Sequence, residues 1–126
     1  MPLNMAFTSS ERQRLGVLVN NISFYATQLI SQTSIELTKK ALANLATVKR
    51  EDAALLKRLD QLARDQGEES PLRLIEDFTT LPSDAAQMLT VLRRCMLATA
   101  FLGHCLAQPD VPEMSSEQLA GEERLH

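Results

Sequence analysis

Apolar residues recur every three or four positions between Ser9 and Gln66, a spacing that places them on one face of an α-helix. The stretch contains no proline and a single glycine, Gly16, so it is well suited to a helix throughout. Thr8 with Glu11 fits a capping box, in which each side chain accepts the backbone N–H of the other residue. We therefore predict that helical structure begins near residue 9. The apolar positions are Leu15, Leu18, Val19, Ile22, Ala26, Leu29, Ile30, Leu37, Ala41, Leu45, Val48, Leu55, Leu59 and Leu62.

The apolar face does not keep one direction along this stretch. Each residue advances about 100° around a helix axis, and on one straight helix the centre of the later apolar group lies roughly 100° from that of the earlier one. The polar residues 31–34 offer a place for the chain to break, and Thr33 with Glu36 offers a second capping box. We predict two helices, over residues 9–31 and 34–66, with one sharply kinked helix as the alternative.

Turn-forming residues follow the second helix. Gly67 suits the position just past a helix end, Ser70 suits an N-cap, and Pro71 suits the first position of a helix. A short helix is therefore expected over residues 71–79.

The last helix is expected over residues 83–107, between the breaking tetrapeptide LPSD and Pro109. These elements predict an all-α fold, an antiparallel bundle of three long helices and one short helix. Residues 9–108 form its single domain. Residues 1–8 and the polar tail 109–126 are predicted to be disordered.

Composition agrees with a helical core and limits the classes of molecule that the chain is expected to bind. Aromatic residues make up 4% of the chain and Trp is absent, so aliphatic residues and Met must build the core. The formal charge of −3 is too small to indicate an electrostatic partner, and it argues against nucleic-acid binding. Lys39, Arg50, Lys57 and Arg64 form a stripe opposite the apolar face of the second helix, which is typical of a solvated surface.

Cys95 and Cys105 are the only cysteines, and their spacing does not resemble a disulfide framework. The N-terminus lacks a basic start and a long apolar core, so no secretory signal is visible. We interpret the chain as a cytoplasmic, bacterial protein with reduced thiols and no cofactor.

The apolar run that begins at Cys95 could form a core helix, a membrane-spanning helix or part of a zinc site. A membrane-spanning helix needs about 20 apolar residues, whereas this run contains Thr99 and His104 and follows two arginines. A zinc site would need Cys95, His104 and Cys105 to converge. Cys95 and His104 are nine positions apart and point to opposite sides of one helix. We predict neither membrane insertion nor a metal site.

Two residues are candidates for catalysis. His104 invites comparison with histidine phosphotransfer domains, which carry an exposed histidine on a helical bundle, although here it lies one turn from a proline that stops the helix. Asp52 projects near the apolar side, so we expect it to meet a basic partner, to bend the helix or to lie at a wet end of the bundle. No glycine-rich phosphate loop, HExxH or GxSxG motif occurs in the sequence, which favours a protein that is not an enzyme.

One stripe of the last helix is mostly polar and is expected to face outward. Its members follow at alternating steps of four and three: Ser83, Gln87, Thr90, Arg94, Leu97, Phe101, His104 and Gln108. Leu97 and Phe101 interrupt it, and either a partner or the short helix must cover them. The residues expected to face inward are Ala85, Met88, Leu89, Leu92, Cys95, Met96, Thr99, Leu102 and Leu106.

Small residues on the same helix would let a second helix approach closely, and they are Ala98, Ala100, Gly103 and Ala107. We therefore expect a homodimer formed through the last helix. The predicted interface residues are Arg94, Leu97, Ala98, Phe101 and His104.

These features together favour a small, non-enzymatic protein-binding module. Helical proteins of this kind act as secretion chaperones, as anti-activators that sequester a transcription factor, or as phage or immunity factors. In its organisation alone, helical hairpins followed by a polar tail, the chain resembles flagellar and type III secretion chaperones. The alternative is a catalytic or phosphotransfer bundle that uses His104 or Asp52.

Overall fold

The computed structural model describes residues 6–108 and 110–111, most of which are helical. Five helices occur within these residues: α1 (Ser9–Ser31), α2 (Ile35–Glu51), α3 (Ala53–Gln66), α4 (Pro71–Asp77) and α5 (Ala85–Leu106). Two strands of two residues each, β1 (Phe7–Thr8) and β2 (Asp110–Val111), pair in parallel. The prediction of an all-α protein is confirmed, because this short pairing is the one non-helical element among the described residues.

Side-chain caps separate α1 from α2. The predicted capping box is present, with the Glu11 N–H donating to Thr8 Oγ1 over 3.2 Å and the Thr8 N–H donating to Glu11 Oε1 over 2.9 Å. The first helix ends at Gln32, which adopts a left-handed conformation with φ 51°. The chain therefore forms two helices here rather than one kinked helix. The N-cap of α2 is Ser34, which accepts the backbone N–H of Leu37, and not Thr33 as the sequence suggested.

The single helix expected over residues 34–66 is interrupted at Asp52. This residue ends α2 and precedes α3 with φ −117° and ψ 36°, outside helical geometry. Its carboxylate forms an ion pair of 3.2 Å with Arg14 of α1, and its side chain is 12% exposed. Asp52 therefore has a basic partner, and the helix is interrupted at this residue. These are two of the three outcomes expected for it. A carboxylate this deeply placed is stabilised by its ion pair.

The corner between α3 and α4 is built around a buried carboxylate. Gly67 takes the left-handed conformation that lets α3 end, with φ 67°. Ser70 caps α4 as predicted, and its hydroxyl also donates to Asp60 Oδ1 over 2.6 Å. Arg64 and Arg73 contribute ion pairs to the same carboxylate, over 3.0 and 3.6 Å. The contacts of Asp60 therefore fix the direction of α4 relative to α3.

The helices pack around α1, which contacts both α2 and α5. Helix α5 runs antiparallel to α1, since Arg12 near the start of α1 donates to the carbonyl of Gln108 just after α5. Helix α4 packs against α2, α3 and α5. The fully buried large side chains are Phe7, Leu15, Leu18, Ile22, Tyr25, Leu45, Leu56, Leu59, Pro71, Leu74, Phe101 and Leu102.

The two ends of the described chain meet at one end of the bundle. Phe7 pairs in register with Asp110, and Thr8 with Val111. The Phe7 side chain is buried beneath the guanidinium of Arg58, which lies 4.3 Å from the centre of the ring. The expected disorder of residues 1–8 is therefore wrong for Phe7 and Thr8, because burial of the aromatic ring and a cation–π contact hold this segment. Residues 1–5, and all of the tail predicted for residues 109–126 except the β2 pair, lie outside the described residues.

Replacing Ser70 tests the corner between α3 and α4. We expect Ser70→Ala to lower the free energy of unfolding by roughly 2–3 kcal/mol, because it removes an N-cap and also leaves Asp60 without its shortest hydrogen bond. The matched control is Ser34→Ala, which removes an exposed cap alone and should cost roughly 1 kcal/mol. Urea denaturation followed by circular dichroism measures both. Equal losses in the two variants would contradict a structural role for the Asp60–Ser70 hydrogen bond.

Candidate protein-binding face of the last helix

The buried side of α5 is apolar and combines small side chains with the large Phe101 and Leu102. Asp84 caps the helix by accepting the Gln87 N–H over 2.8 Å, and the sequence of the helix contains no Asp or Glu. The residues of α5 that are buried in the bundle are Cys95, Ala98, Phe101, Leu102 and Cys105. Met88, Val91, Leu92 and Leu106 are partly buried and pack against them.

The orientation predicted for α5 is wrong in part. Phe101, expected to face outward, is 2% exposed, and Ala98 of the predicted interface is fully buried. Leu89 and Met96, expected to face inward, are 68% and 72% exposed. The outward stripe lies one residue earlier along the chain than predicted, which is a rotation of about 100° around the helix axis.

Arg94 explains this rotation. Its guanidinium donates from Nε and Nη2 to the two carboxylate oxygens of Glu69, over 3.2 and 3.0 Å, and from Nη1 to Asp77 over 2.8 Å. It also lies 5.5 Å from the centre of the Phe78 ring. The hydrogen bond with Glu69 is the main reason that the pKa of Arg94 is raised above its usual value. Arg94 therefore faces the α3–α4 region and is occupied within the chain, whereas Gln87 and Thr90 on the same polar stripe are exposed.

The face that α5 presents to solvent is a regular apolar stripe. We call it the outer stripe, and it comprises Ala86, Leu89, Arg93, Met96, Ala100, Gly103 and Ala107. These residues follow at alternating steps of three and four, the repeat of a coiled-coil seam, and all seven are exposed. Arg93 is its single charged residue. A methyl group added at Gly103 would meet no atom within 4 Å, so that side of the helix is open.

Two residues of the predicted interface lie beside the outer stripe. Leu97 is 44% exposed, and His104 is exposed on the last turn of α5. Sequence reasoning missed Leu89 and Met96, although the step pattern that contains them could have been read from the sequence. Both residues were instead expected to face inward, because the polar stripe of α5 was expected to face water.

The catalytic candidates are in separate surroundings. Asp52 is engaged by Arg14 at the break between α2 and α3, whereas His104 lies near the end of α5. Within the described ranges, no three residues among His, Cys, Asp and Glu are grouped closely enough to hold a metal ion. The geometry thus places the two candidates in different elements, each with its own neighbours.

Both thiols are buried, and burial raises the pKa of Cys95 to about 12 and that of Cys105 to about 11. Tyr25 is also fully buried, and desolvation, with a smaller contribution from Cys95, raises its pKa to about 12. Its hydroxyl has no hydrogen-bond partner among the described residues. These three groups are held in their neutral forms, as inert parts of the core.

Helix α5 is also relevant to whether the chain could insert into a membrane. Among the described residues it is the one helix long and apolar enough to span a membrane, and a core helix of a soluble protein meets the same criteria. Its buried side packs against α1, while the outer stripe contacts no other part of the described chain closely enough to be covered.

The raised pKa values predict that stability falls at high pH. An unfolded chain loses thiol protons near pH 9, whereas the folded chain keeps them until about pH 11 to 12. Between these values the unfolded state binds fewer protons, so the free energy of unfolding falls as the pH rises above about 9. Thermal unfolding by circular dichroism at pH 7.5, 9 and 10.5 would show this loss.

Tyr25→Phe is the cleanest variant for this measurement. Because the Tyr25 hydroxyl has no partner among the described residues, the substitution should leave stability unchanged or slightly raised at pH 7.5 and should reduce the loss above pH 10. The double variant Cys95→Ala, Cys105→Ala should be less stable at neutral pH, owing to the cavities, but flatter between pH 9 and 10.5. A parent protein with flat stability up to pH 10.5 would contradict the neutral, buried state of these groups.

No family model, curated protein or solved structure matches the chain. The geometry of the chain itself is therefore the basis for assigning a function.

Proposed function

We propose that the chain is a small, non-enzymatic, cytoplasmic protein-binding module, and that its outer stripe binds a second copy to form a homodimer. The observation that carries this proposal is the exposure of all seven stripe residues over three heptads of α5. A contiguous apolar surface on a small protein is typical of a binding site. The three-four repeat is the pattern by which two helices bury such a surface against each other.

The distribution of side-chain size along the stripe favours an antiparallel dimer. The large residues, Leu89 and Met96, lie in its first half, whereas Ala100, Gly103 and Ala107 lie in its second half. Antiparallel pairing about a two-fold axis near Met96 sets Leu89 of one copy against Gly103 of the other. Large side chains then meet small ones, which lets the helix axes approach closely.

The energetics indicate a weak, exchanging dimer. Fully burying a Leu or Met side chain contributes roughly 1.5–3 kcal/mol, and the two stripe residues are each about two thirds exposed. Four such side chains in a dimer therefore contribute roughly 4–8 kcal/mol, which is similar to the roughly 4–15 kcal/mol that association costs. A face that binds its own copy weakly is available to the helix of another protein. This supports a chaperone-like or anti-activator-like regulator, in which a partner's amphipathic helix replaces the second copy.

The charges of α5 support a role outside the membrane. Arg93 lies in the middle of the outer stripe, and a charged side chain near the centre of a bilayer is costly. In a dimer, Arg93 would lie opposite Ala100 with its head group at the edge of the interface, where water remains.

A charge placed on the outer stripe tests the dimer. We expect Leu89→Glu and Met96→Glu each to shift the population to monomer, because a carboxylate would be buried without a partner at the interface. Sedimentation velocity over a series of protein concentrations measures the population. The matched control is Ile30→Glu on α1, since Ile30 is exposed to the same extent as Leu89, at 69% against 68%. The proposal is wrong if the parent is monomeric at every concentration, or if Ile30→Glu disrupts a dimer as strongly as the stripe variants do.

Cysteine cross-linking tests the antiparallel arrangement. Met96→Cys should form a disulfide between copies under mild oxidation, because position 96 lies next to the two-fold axis. Leu89→Cys should not, since the two copies of position 89 would be separated by roughly 21 Å along the helix axis. Non-reducing electrophoresis reads out the products, and the parent protein, whose thiols are buried, provides the background. Cross-linking at both positions would indicate parallel pairing instead.

A further inference from the structure

The net charge of the chain is concentrated at its C-terminal end. Residues 112–126 contain four Glu (113, 117, 122 and 123) and one Arg, a formal charge of −3. Residues 1–111 contain the remaining 12 acidic and 12 basic residues, so they are neutral as a whole. The C-terminal segment, residues 112–126, is thus an acidic appendage on an electrically balanced body. It also carries three large apolar residues, Met114, Leu119 and Leu125.

A groove between α2 and α4 has complementary properties. Its volume is about 450 Å³. Five apolar residues line it: Leu42, Ala43, Ala46, Ile75 and Phe78. The two alanines are exposed on α2, so a bound segment can approach the backbone of that helix closely. The groove can therefore take apolar side chains against a shallow floor.

Lysines stand at both ends of this groove. Lys39 and Lys49 are ten residues apart on α2, a separation of about 15 Å along its axis. Lys49 forms an ion pair of 3.6 Å with Glu76, in which both side chains are nearly half exposed. Lys39 makes no ion pair with any residue that the structure describes. The rim of the groove therefore has an excess of positive charge, which fits an acidic segment.

The C-terminal segment is long enough to reach this groove. The described chain ends at Val111, paired with Thr8, and the neighbouring Phe7 lies beneath Arg58 of α3. Arg58 follows Lys49 by nine residues across the break at Asp52, a separation of at most about 30 Å even for an extended chain. Fifteen extended residues span up to roughly 50 Å, enough to pass this distance and then to cover the groove from Lys49 to Lys39.

We propose that residues 112–126 of the same chain occupy the α2–α4 groove, with glutamates at Lys39 and Lys49 and an apolar side chain on the floor. The segment then acts as an intrachain competitor, and an acidic, apolar peptide of a partner protein must displace it. Because the ion pairs lie at the surface, salt weakens the contact. This inference does not depend on the outer stripe of α5, which lies on another helix.

A single tryptophan reports on the segment, since the chain contains none. In the full-length variant Leu119→Trp we expect blue-shifted emission and a rate constant for acrylamide quenching at least twofold below that of free tryptophan at low salt. Raising NaCl from about 0.02 M to about 1 M should restore the emission and quenching of a solvated indole. Leu125→Trp provides a second reporter position.

A charge reversal in the groove locates the contact. Adding Lys39→Glu to the reporter chain should raise the quenching constant to the solvated value at low salt. Lys57→Glu, an exposed lysine of α3 outside the groove, makes the same charge change and should leave it unaltered. Circular dichroism confirms that each variant is folded.

Four outcomes would overturn the proposal. Solvated emission from both reporter positions at low salt would mean that the segment is not bound. An equal response to Lys39→Glu and Lys57→Glu would mean that only the overall charge matters. A response to Arg93→Glu in place of Lys39→Glu would put the segment on the outer stripe. A protection that disappears on dilution would assign the contact to a second copy.

Discussion

The contacts of Arg94 decide which side of α5 faces the solvent. The guanidinium of this residue is held by Glu69 before α4, by Asp77 at the end of α4 and by the ring of Phe78. Several charge-assisted hydrogen bonds to one planar group leave little freedom to rotate the helix about its axis. The small buried side chains, Ala98 and Cys105, then fall against the rest of the bundle. Leu89 and Met96 turn outward as a consequence, so the contacts of Arg94 also determine which apolar residues of α5 are exposed.

If the outer stripe binds a helix as proposed, the residues that bind are different from the residues that stabilise the fold. The core is built from all five helices, with the buried side of α5 as its contribution, so it does not require the outer stripe. In the proposed dimer, substitutions on the outer stripe would therefore alter binding with little effect on folding. Since Leu89 and Met96 are the two large side chains on the stripe, the affinity of the proposed interface would depend mainly on them.

Much of the local structure could be predicted from the sequence, because it depends on residues close together in the chain. The capping box of Thr8 and Glu11, the turn at Gly67 and the N-cap at Ser70 each involve neighbours within a few positions. The rotation of α5 could not be predicted in this way, since the partners of Arg94 lie 17 and 25 residues earlier in the chain.

Periodicity has a related limit. A polar stripe shows the same pattern whether it faces water or other charges. Leu89 was therefore assigned to the buried side and Phe101 to the exposed side, and both assignments were wrong.

Pairing of the two ends of the described chain gives the fold a further property, because the contact between Phe7 and Asp110 closes a loop of about 100 residues. Closing so long a loop is entropically costly while the helices between are unformed, which makes this contact a late event in folding. The same adjacency makes the described fold suited to circular permutation: a short linker could join Val111 to Ala6, and new termini could be opened at the exposed turn between α1 and α2.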